Sequence, residues 1–481
     1  MFPIWPIKLT LFTCCTYRTY AKIPVLYLIY GGMSANFVLS KTKSSVLPTL
    51  LSKANHAYIF YYVLLTDLSV NTSKTPLIDA NPAALTYPDQ AYGFFQAAKN
   101  LGFPVACWRM PNTNVQHFTA DCSGHLPLVK PELSEMPMGF VAAPFMQAEG
   151  KAYFLQAHLH YQWNEQRQQS RVEQVLDPQW QEQVRQFSDH WKKESQSFKQ
   201  GDYYAYHNGE EIPTGQAHYE KLVGDGIRGI EEGLFQKVVL SRKKPVQLQN
   251  PTHPIELFRK LCHQYPTAFI SLISSPETGT WLGASPETLV SINAEGLFRT
   301  ISLAGTQARN NFETLADASW RQKEIEEQAL VSRYIINCFK KIRLREFEEV
   351  GPRTVQAGNL VHLRTDFIVD TIETSFPELP TVMLELLHPT SAVCGMPKDA
   401  ATAFIEAYEN YDRSMYSGYL GPVGTDNGSH LFVNLRCMQL QDKQAWLYAG
   451  AGITQDSNPN KEWKETEMKM ETIKQVLAGH I

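Results

Sequence analysis

Two pairs of glutamates, each at helical spacing, are the residues in this chain whose types first suggest chemistry. Glu324 and Glu327 lie in Arg321-Gln-Lys-Glu-Ile-Glu-Glu-Gln328, and Glu462 and Glu465 lie in Lys461-Glu-Trp-Lys-Glu-Thr466. Residues three apart on a helix sit about 60° apart around its axis, so each pair faces one way. Four carboxylates on two helices can enclose a hard divalent cation. Mg²⁺ prefers one or two carboxylates plus waters and a substrate oxygen at octahedral geometry. One glutamate of each pair would then bind directly and the other would orient a water. The same spacing also suits a solvated face making ion pairs with Lys323, Lys461 or Lys464, and on spacing alone that is the commoner outcome.

Other residues gain interest from their surroundings. Lys237 begins an otherwise apolar strand, Lys237-Val-Val-Leu-Ser-Arg242, just after a helix end. A partly buried lysine loses proton affinity by desolvation and can act as a general base. Glu287, in Gly283-Ala-Ser-Pro-Glu287, sits at a kink between strands, where a carboxylic acid could protonate a leaving oxygen. Gly450-Ala-Gly452 follows an apolar strand and reads as a turn able to direct N–H groups at a carboxylate. Arg436, on Phe432-Val-Asn-Leu-Arg436, needs an anionic partner, and a substrate carboxylate would serve bidentately. Lys469 shares a helix face with Glu465. His388 and His362 are further polar candidates. Taken one at a time, each of these residues also has an ordinary structural role. No G-x-S-x-G elbow, P-loop or dinucleotide fingerprint is present.

The elements that must position these groups follow from periodicity and punctuation. Strands are expected at Tyr58–Leu65 and Lys151–His158, with a helix at Asp89–Asn100 between them. A polar, Gln-rich stretch over 162–200, with a helix from Asp177 to Lys193, reads as a linker. The C-terminal half opens with a helix over Thr214–Glu232, capped by Thr214 and ended by Gly233. The Lys237 strand and a meander over 268–303 follow. Next come a long helix over Glu313–Leu344, a strand over Leu360–Val369 and a helix over Pro397–Tyr408. Strands at His430–Leu440 and Ala445–Tyr448 precede a last helix over Lys461–Leu477. Short antiparallel runs with segregated helices indicate an α+β fold, sheet on sheet with helices outside. The expected division is a leader at 1–32, either non-native or disordered, an N-terminal α/β subdomain at 33–200 and a catalytic region at 201–481.

Composition narrows the function. The chain has 481 residues, 19% of them charged, and a net charge of -4, which argues against nucleic acid as a main partner. Its eight cysteines form no CxxC pair and fit a reducing compartment. The two apolar runs near the N-terminus, Leu9–Cys15 and Ile23–Tyr30, fall short of the roughly 18 residues needed to span a bilayer.

The order of segments decides among these readings. Lys-Val-Val-Leu-Ser-Arg, Gly-Ala-Ser-Pro-Glu, Leu303-Ala-Gly-Thr306, Lys-Glu-Ile-Glu-Glu and His388-Pro-Thr-Ser-Ala-Val-Cys-Gly-Met-Pro-Lys398 come first. Asp412-Arg-Ser-Met-Tyr-Ser-Gly418, Ala449-Gly-Ala-Gly-Ile453 and Glu-Trp-Lys-Glu-Thr follow. Together, over roughly residues 210–478, they resemble the chorismate-utilising enzymes, and most of all their isochorismate synthase branch. The resemblance implies two packed, largely antiparallel sheets flanked by outer helices. It implies a lysine at the position of Lys237 in members that use water as nucleophile, in contrast to the ammonia-using anthranilate and aminodeoxychorismate synthases. Aminodeoxychorismate synthases also carry a nucleophilic lysine where this chain has Ala304. Salicylate synthases, which go on to eliminate pyruvate, tend to carry threonine where this chain has Ala392. Two motifs depart from the family pattern. Gln328 stands where histidine usually follows the first glutamate pair, and Trp463 and Lys464 stand where small or acidic residues are common.

The implied activity is a reversible, Mg²⁺-dependent isomerisation of chorismate to isochorismate. Glu327 and Glu465, with Glu324 and Glu462 behind, would hold Mg²⁺ against the ring carboxylate. Arg436, Tyr416 and the amides near Gly450 and Gly452 would meet the enolpyruvyl carboxylate. Gly305, Thr306, His388, Ala392 and Lys469 complete the implied substrate contacts. Lys237 would deprotonate the water that attacks C2, and Glu287 would protonate the departing C4 hydroxyl. Lys469 and Lys323 would balance the acidic cluster. A cytoplasmic, monomeric enzyme is expected, with no nucleic-acid or membrane partner. The rivals are a salicylate synthase, an ammonia-using synthase with an amidotransferase partner, and a catalytically silent chorismate-binding protein. Menaquinone and catechol-siderophore routes both remain open.

Overall fold

A computed structural model describes residues 12–14, 23–30, 33–38, 87–174, 177–196, 202–205, 212–249, 252–357 and 360–481. The chain divides into two units, residues 1–73 and 74–481. In the first unit, strands Phe12–Cys14, Ile23–Tyr30 and Met33–Val38 form an antiparallel sheet. The expected strand Tyr58–Leu65 and most of the expected leader lie outside the described residues.

The second unit is built on two antiparallel sheets. One runs in the order Gln169–Gln174, Leu159–Asn164, Val115–Ala120, Val105–Arg109, Phe269–Ser275, Gly279–Ser285, Cys437–Gln441, Gln444–Ile453, Lys237–Gln247, Gly395–Met396. The other runs Glu348–Ala357, Leu360–Asp370, Leu297–Ala308, Thr288–Ile292, Ser429–Val433, Tyr419–Val423, Gly139–Ala143, Ala152–Gln156, Leu128–Val129. The described helices are α1 (Tyr87–Leu101), α2 (Gln181–Gln196), α3 (Gln216–Glu231), α4 (Pro254–Gln264), α5 (Gln322–Lys341), α6 (Leu379–Leu387), α7 (Lys398–Tyr408) and α8 (Pro459–Lys474). The α+β expectation of two packed antiparallel sheets flanked by helices describes this architecture.

The sheets pack face to face through alternating side chains. Ala106 and Trp108 meet Phe140, Leu420 and Phe432 between the sheets, and the rings of Phe269 and Phe432 stack 4.0 Å apart. The intervening residues Val105 and Cys107 point the other way, onto Phe94, Phe187 and Leu261 of α1, α2 and α4. This period of two makes each strand apolar on both faces. On the far side of the second sheet, Ile335 and Phe339 of α5 and Met383 of α6 cover Phe367 and Leu431. Helices α3 and α7 cover Val238 and Leu240 near one edge of the first sheet.

The sheets differ from the sequence reading in four places. Residues on both sides of the expected linker share both sheets: Val105–Arg109 lies beside Phe269–Ser275, and Gly139–Ala143 beside Tyr419–Val423. The helix expected over Glu313–Leu344 starts at Gln322, because Thr314 and Asp317 close a separate 3₁₀ turn as a capping box. Helix α3 is capped at Gly215 with no side-chain bond, so Thr214 is not its cap. The single strand expected over His430–Leu440 is two strands, one in each sheet, parted at Asn434–Arg436.

Those crossings between sheets create the special positions. The chain leaves the first sheet at Ser285 and enters the second at Thr288, with Pro286 and Glu287 at the corner. It returns from Val433 to Cys437, with Arg436 at φ +49°, a left-handed backbone rare outside glycine. The two corners are laced together. The Ser285 hydroxyl donates to the Val433 carbonyl at 2.5 Å, and the Val433 N–H donates to the Glu287 carbonyl at 3.0 Å. The Ala284 N–H donates to the Arg436 carbonyl at 3.0 Å.

Candidate active site

The corners, the Lys237 strand and helices α5 and α8 enclose one polar cavity. Glu287 and Arg436 line it from the crossings, Glu327 from α5, and Glu465 and Lys469 from α8. Ala304, Gly305, Thr306 and His362 form another wall, and Ala392, Tyr416, Gly450 and Gly452 complete it.

Lys237 is 1% exposed, and its Nζ donates to Glu327 Oε1 at 3.0 Å. Residues 237, 239 and 241 share one face of their strand, and the register sets Gly452 opposite Val239 and Gly450 opposite Ser241. A Cβ at Gly452 would stand 2.9 Å from Glu327 Oε1 and 3.0 Å from Lys237 Cε. A Cβ at Gly450 would stand 3.1 Å from the Tyr416 hydroxyl. Both glycines lie inside the paired strand Gln444–Ile453. They do not form the anion-binding turn expected from the sequence; their value is the space they leave.

A β-bulge shapes the opposite wall. Pairing between Leu297–Ala308 and Leu360–Asp370 slips between Ala304 and Gln307, so Gly305 and Thr306 together face His362. Gly305 takes φ +68° there. The Gly305 carbonyl, which can only accept, lies 2.8 Å from His362 Nδ1. Burial, with the nearby Arg436 charge, pushes the His362 imidazole down to about 3, so the ring is neutral. Nδ1 therefore carries the proton and Nε2 is an acceptor, buried and without a partner among the described residues. His362 looked like an ordinary structural histidine in the sequence, and only the bulge reveals its place in the wall.

Glu287 is 4% exposed. Burial pushes its carboxyl up to about 7, against the opposing pull of Lys237, Arg436 and Lys469. The structure therefore holds a carboxylic acid that is substantially protonated near neutrality. At Glu327, burial also raises the carboxyl, but Lys237, Lys469 and Lys323 outweigh it and hold the group below its usual range.

The four glutamates are each engaged by a cation of the chain. Glu327 holds Lys237 at 3.0 Å, Glu465 holds Lys469 at 2.7 Å, Glu462 holds Lys323 at 2.9 Å and Glu324 holds Arg321 at 2.8 Å. Glu324 also accepts from the Arg321 N–H at 2.9 Å, capping α5. Among the described residues no three His, Cys, Asp or Glu side chains converge closely enough to hold a metal. The carboxylates thus do not form a preformed four-glutamate cage, because each buried charge takes the nearest cation. Lys461 and Lys464, the alternative surface partners, are not the ones used. Glu462 is buried, yet burial and the neighbouring Glu465 charge push its carboxyl up despite Lys323. Hard oxygen donors that repel one another fit a Mg²⁺ ion.

Of the expected site residues, Lys237, Glu324 and Glu462 are not in the cavity lining, and His388 lies at another site. His388 Nε2 is 3.2 Å from the Phe145 carbonyl, and His388 borders a different cavity with Leu384, Lys398 and Tyr419. Arg413, inside a quoted motif but given no role from sequence, supports two pocket residues from behind. It donates to the carbonyls of Val393 at 2.8 Å and Val239 at 2.7 Å, and pairs with Glu409 at 2.6 Å.

The chorismate binding enzyme family model matches residues 135–478. The chain belongs to the chorismate-binding enzymes. Among relatives of this chorismate-binding enzyme, isochorismate synthase EntC of Escherichia coli K12 is 30% identical over 270 residues, covering 55% of this chain and 68% of that protein. Isochorismate synthase DhbC of Bacillus subtilis 168 is 31% identical over 304 residues, covering 60% and 73%. The fold matches that of MenF, the menaquinone-specific isochorismate synthase from Escherichia coli, with a TM-score of 0.64 at 21% identity, over 88% of this chain and 99% of that one. Among the described residues no helix is long and apolar enough to cross a membrane. The six cysteines described are free and buried.

Proposed function

We propose that this chorismate-binding enzyme is an isochorismate synthase. The observation that carries this is a carboxyl near neutrality, Glu287, lining one cavity with Ala304 and with Glu327, to which the buried Lys237 donates at 3.0 Å. Water attack at C2 needs a base, and loss of the C4 hydroxyl needs an acid. Lys237, as the neutral amine, takes the proton of the attacking water. Glu287 gives its proton to the departing hydroxyl, which leaves as water while both ring double bonds shift. One water is consumed and one released, so the reaction is an isomerisation. Arg436, Tyr416 and Lys469 bind and orient the enolpyruvyl carboxylate, and His362 Nε2 accepts a hydrogen bond from a substrate hydroxyl. Glu327 and Glu465, backed by Glu324 and Glu462, would hold Mg²⁺, which when bound supplies positive charge to the ring carboxylate. The same reading gives a monomeric, cytoplasmic enzyme. Incubation with chorismate and Mg²⁺, followed by product chromatography, tests it. Salicylate with pyruvate, or an aminated product from ammonium, would mean a different reaction.

A further inference from the structure

Helix α8 carries Glu462, Glu465 and Lys469 and must be held at one rotation for Glu465 and Lys469 to line the cavity. Each residue advances about 100° around a helix, so these three share one face, while Trp463, Thr466 and Glu467 share another centred about 120° away. Arg242 meets all three residues of that second face. Its side chain is fully buried. Its guanidinium carbon lies 3.6 Å from the centre of the Trp463 ring. Nε donates to Thr466 Oγ1 at 2.7 Å and Nη2 donates to Glu467 Oε1 at 2.5 Å. Lys244 Nζ donates to the other Glu467 oxygen at 2.9 Å, and Tyr219 of α3 lies against Trp463 with ring centres 6.0 Å apart.

Arg242 follows Ser241 along its strand and points to the opposite face from residues 237, 239 and 241. Ser241 pairs with Gly450, whose carbonyl accepts from Lys469 Nζ at 2.8 Å. Trp463 stands between the two glutamates of this helix. We infer that Arg242, stacked on Trp463 and bonded to Thr466 and Glu467, is a positioning residue that sets the rotation of α8 and so the placement of Glu462 and Glu465 for Mg²⁺. This rests on the metal reading given above. The planar guanidinium is suited to the task, because it stacks on an aromatic face and donates in its own plane at once, which lysine cannot do.

The test uses the full chain, with Mg²⁺ titrated calorimetrically in the absence of substrate, alongside thermal melts and steady-state kinetics. Arg242→Lys and Trp463→Leu should each weaken Mg²⁺ binding by about tenfold or more, the range typical of groups that orient metal ligands. Turnover at saturating Mg²⁺ should return to within about twofold of wild type. Trp463→Phe, which keeps an aromatic face, should retain Mg²⁺ affinity within about threefold. If Arg242→Lys does not fold, the two Trp463 variants carry the comparison alone. Variants with lowered melting temperature but wild-type Mg²⁺ affinity would overturn the inference and make Arg242 only a structural clamp. A wild-type protein that binds no Mg²⁺ would overturn both this inference and the metal reading, whereas unchanged variants beside a Mg²⁺-binding wild type overturn this inference alone.

Discussion

Replacing Glu287 with glutamine separates the cost of this group from its use. Glutamine keeps the shape and the polarity but cannot ionise. Moving a carboxyl from its ordinary 4.5 to about 7 corresponds to about 3 kcal/mol between folded and unfolded states. Below pH 4.5 the group is protonated in both states and costs nothing. As pH rises from 4.5 towards 7 the unfolded chain ionises and the folded one does not, so stability falls. Above pH 7 the full cost is present. Glu287→Gln should therefore stabilise the protein by up to about 3 kcal/mol at pH 8 and by under about 1 kcal/mol at pH 5. The same change should lower turnover by about 10²- to 10⁴-fold, since the proton for the departing hydroxyl is lost. Urea unfolding at the two pH values reads the first effect, and chorismate turnover reads the second. A variant no more stable at pH 8 than wild type would refute the claim that burial holds this carboxyl protonated.

Other outcomes follow from the same geometry. Lys237→Ala should cut kcat by about 10²-fold or more with KM for chorismate within a few-fold, measured by steady-state kinetics; near-normal turnover would remove Lys237 as the base. In the wild type, kcat/KM should fall as pH rises through about 7, because only protonated Glu287 can act as the acid. Gly452→Ala places a Cβ 2.9 Å from Glu327 Oε1 and 3.0 Å from Lys237 Cε, and should cost about 10²-fold in turnover with an unchanged circular dichroism spectrum. Arg436→Lys loses the planar fork for a carboxylate and should raise KM by about tenfold, with kcat less affected.

The chemistry was more legible in the sequence than the scaffold. Lys237, Glu287 and the glutamate pairs stood out through the order of the segments that carry them, and Glu287, Glu327 and Glu465 line one cavity, with Lys237 paired to Glu327. Distance along the chain hid the rest. The pairing of Val105–Arg109 with Phe269–Ser275 joins residues about 160 apart, and no local period reports it. The break at Asn434–Arg436 was invisible because the residues around it are apolar enough to read as one strand; only the change of sheet explains it. Gly450 and Gly452 suggested a turn by composition, but their role depends on side chains that arrive from α5 and from the Lys237 strand. His388 and His362 looked alike, and the bulge at Gly305–Thr306 puts His362 in the wall, while His388 faces another cavity. Glu324 and Glu462 were given to a metal by the resemblance, where spacing alone favoured ion pairs, and the structure gives each a cation of the chain.

The most direct test of the account is the product formed from chorismate by the purified protein, resolved by chromatography with and without Mg²⁺. The account predicts isochorismate alone, reaching equilibrium with chorismate in Mg²⁺ and absent after chelation. Salicylate and pyruvate, an aminated ring in the presence of ammonium, or no conversion at all would contradict it.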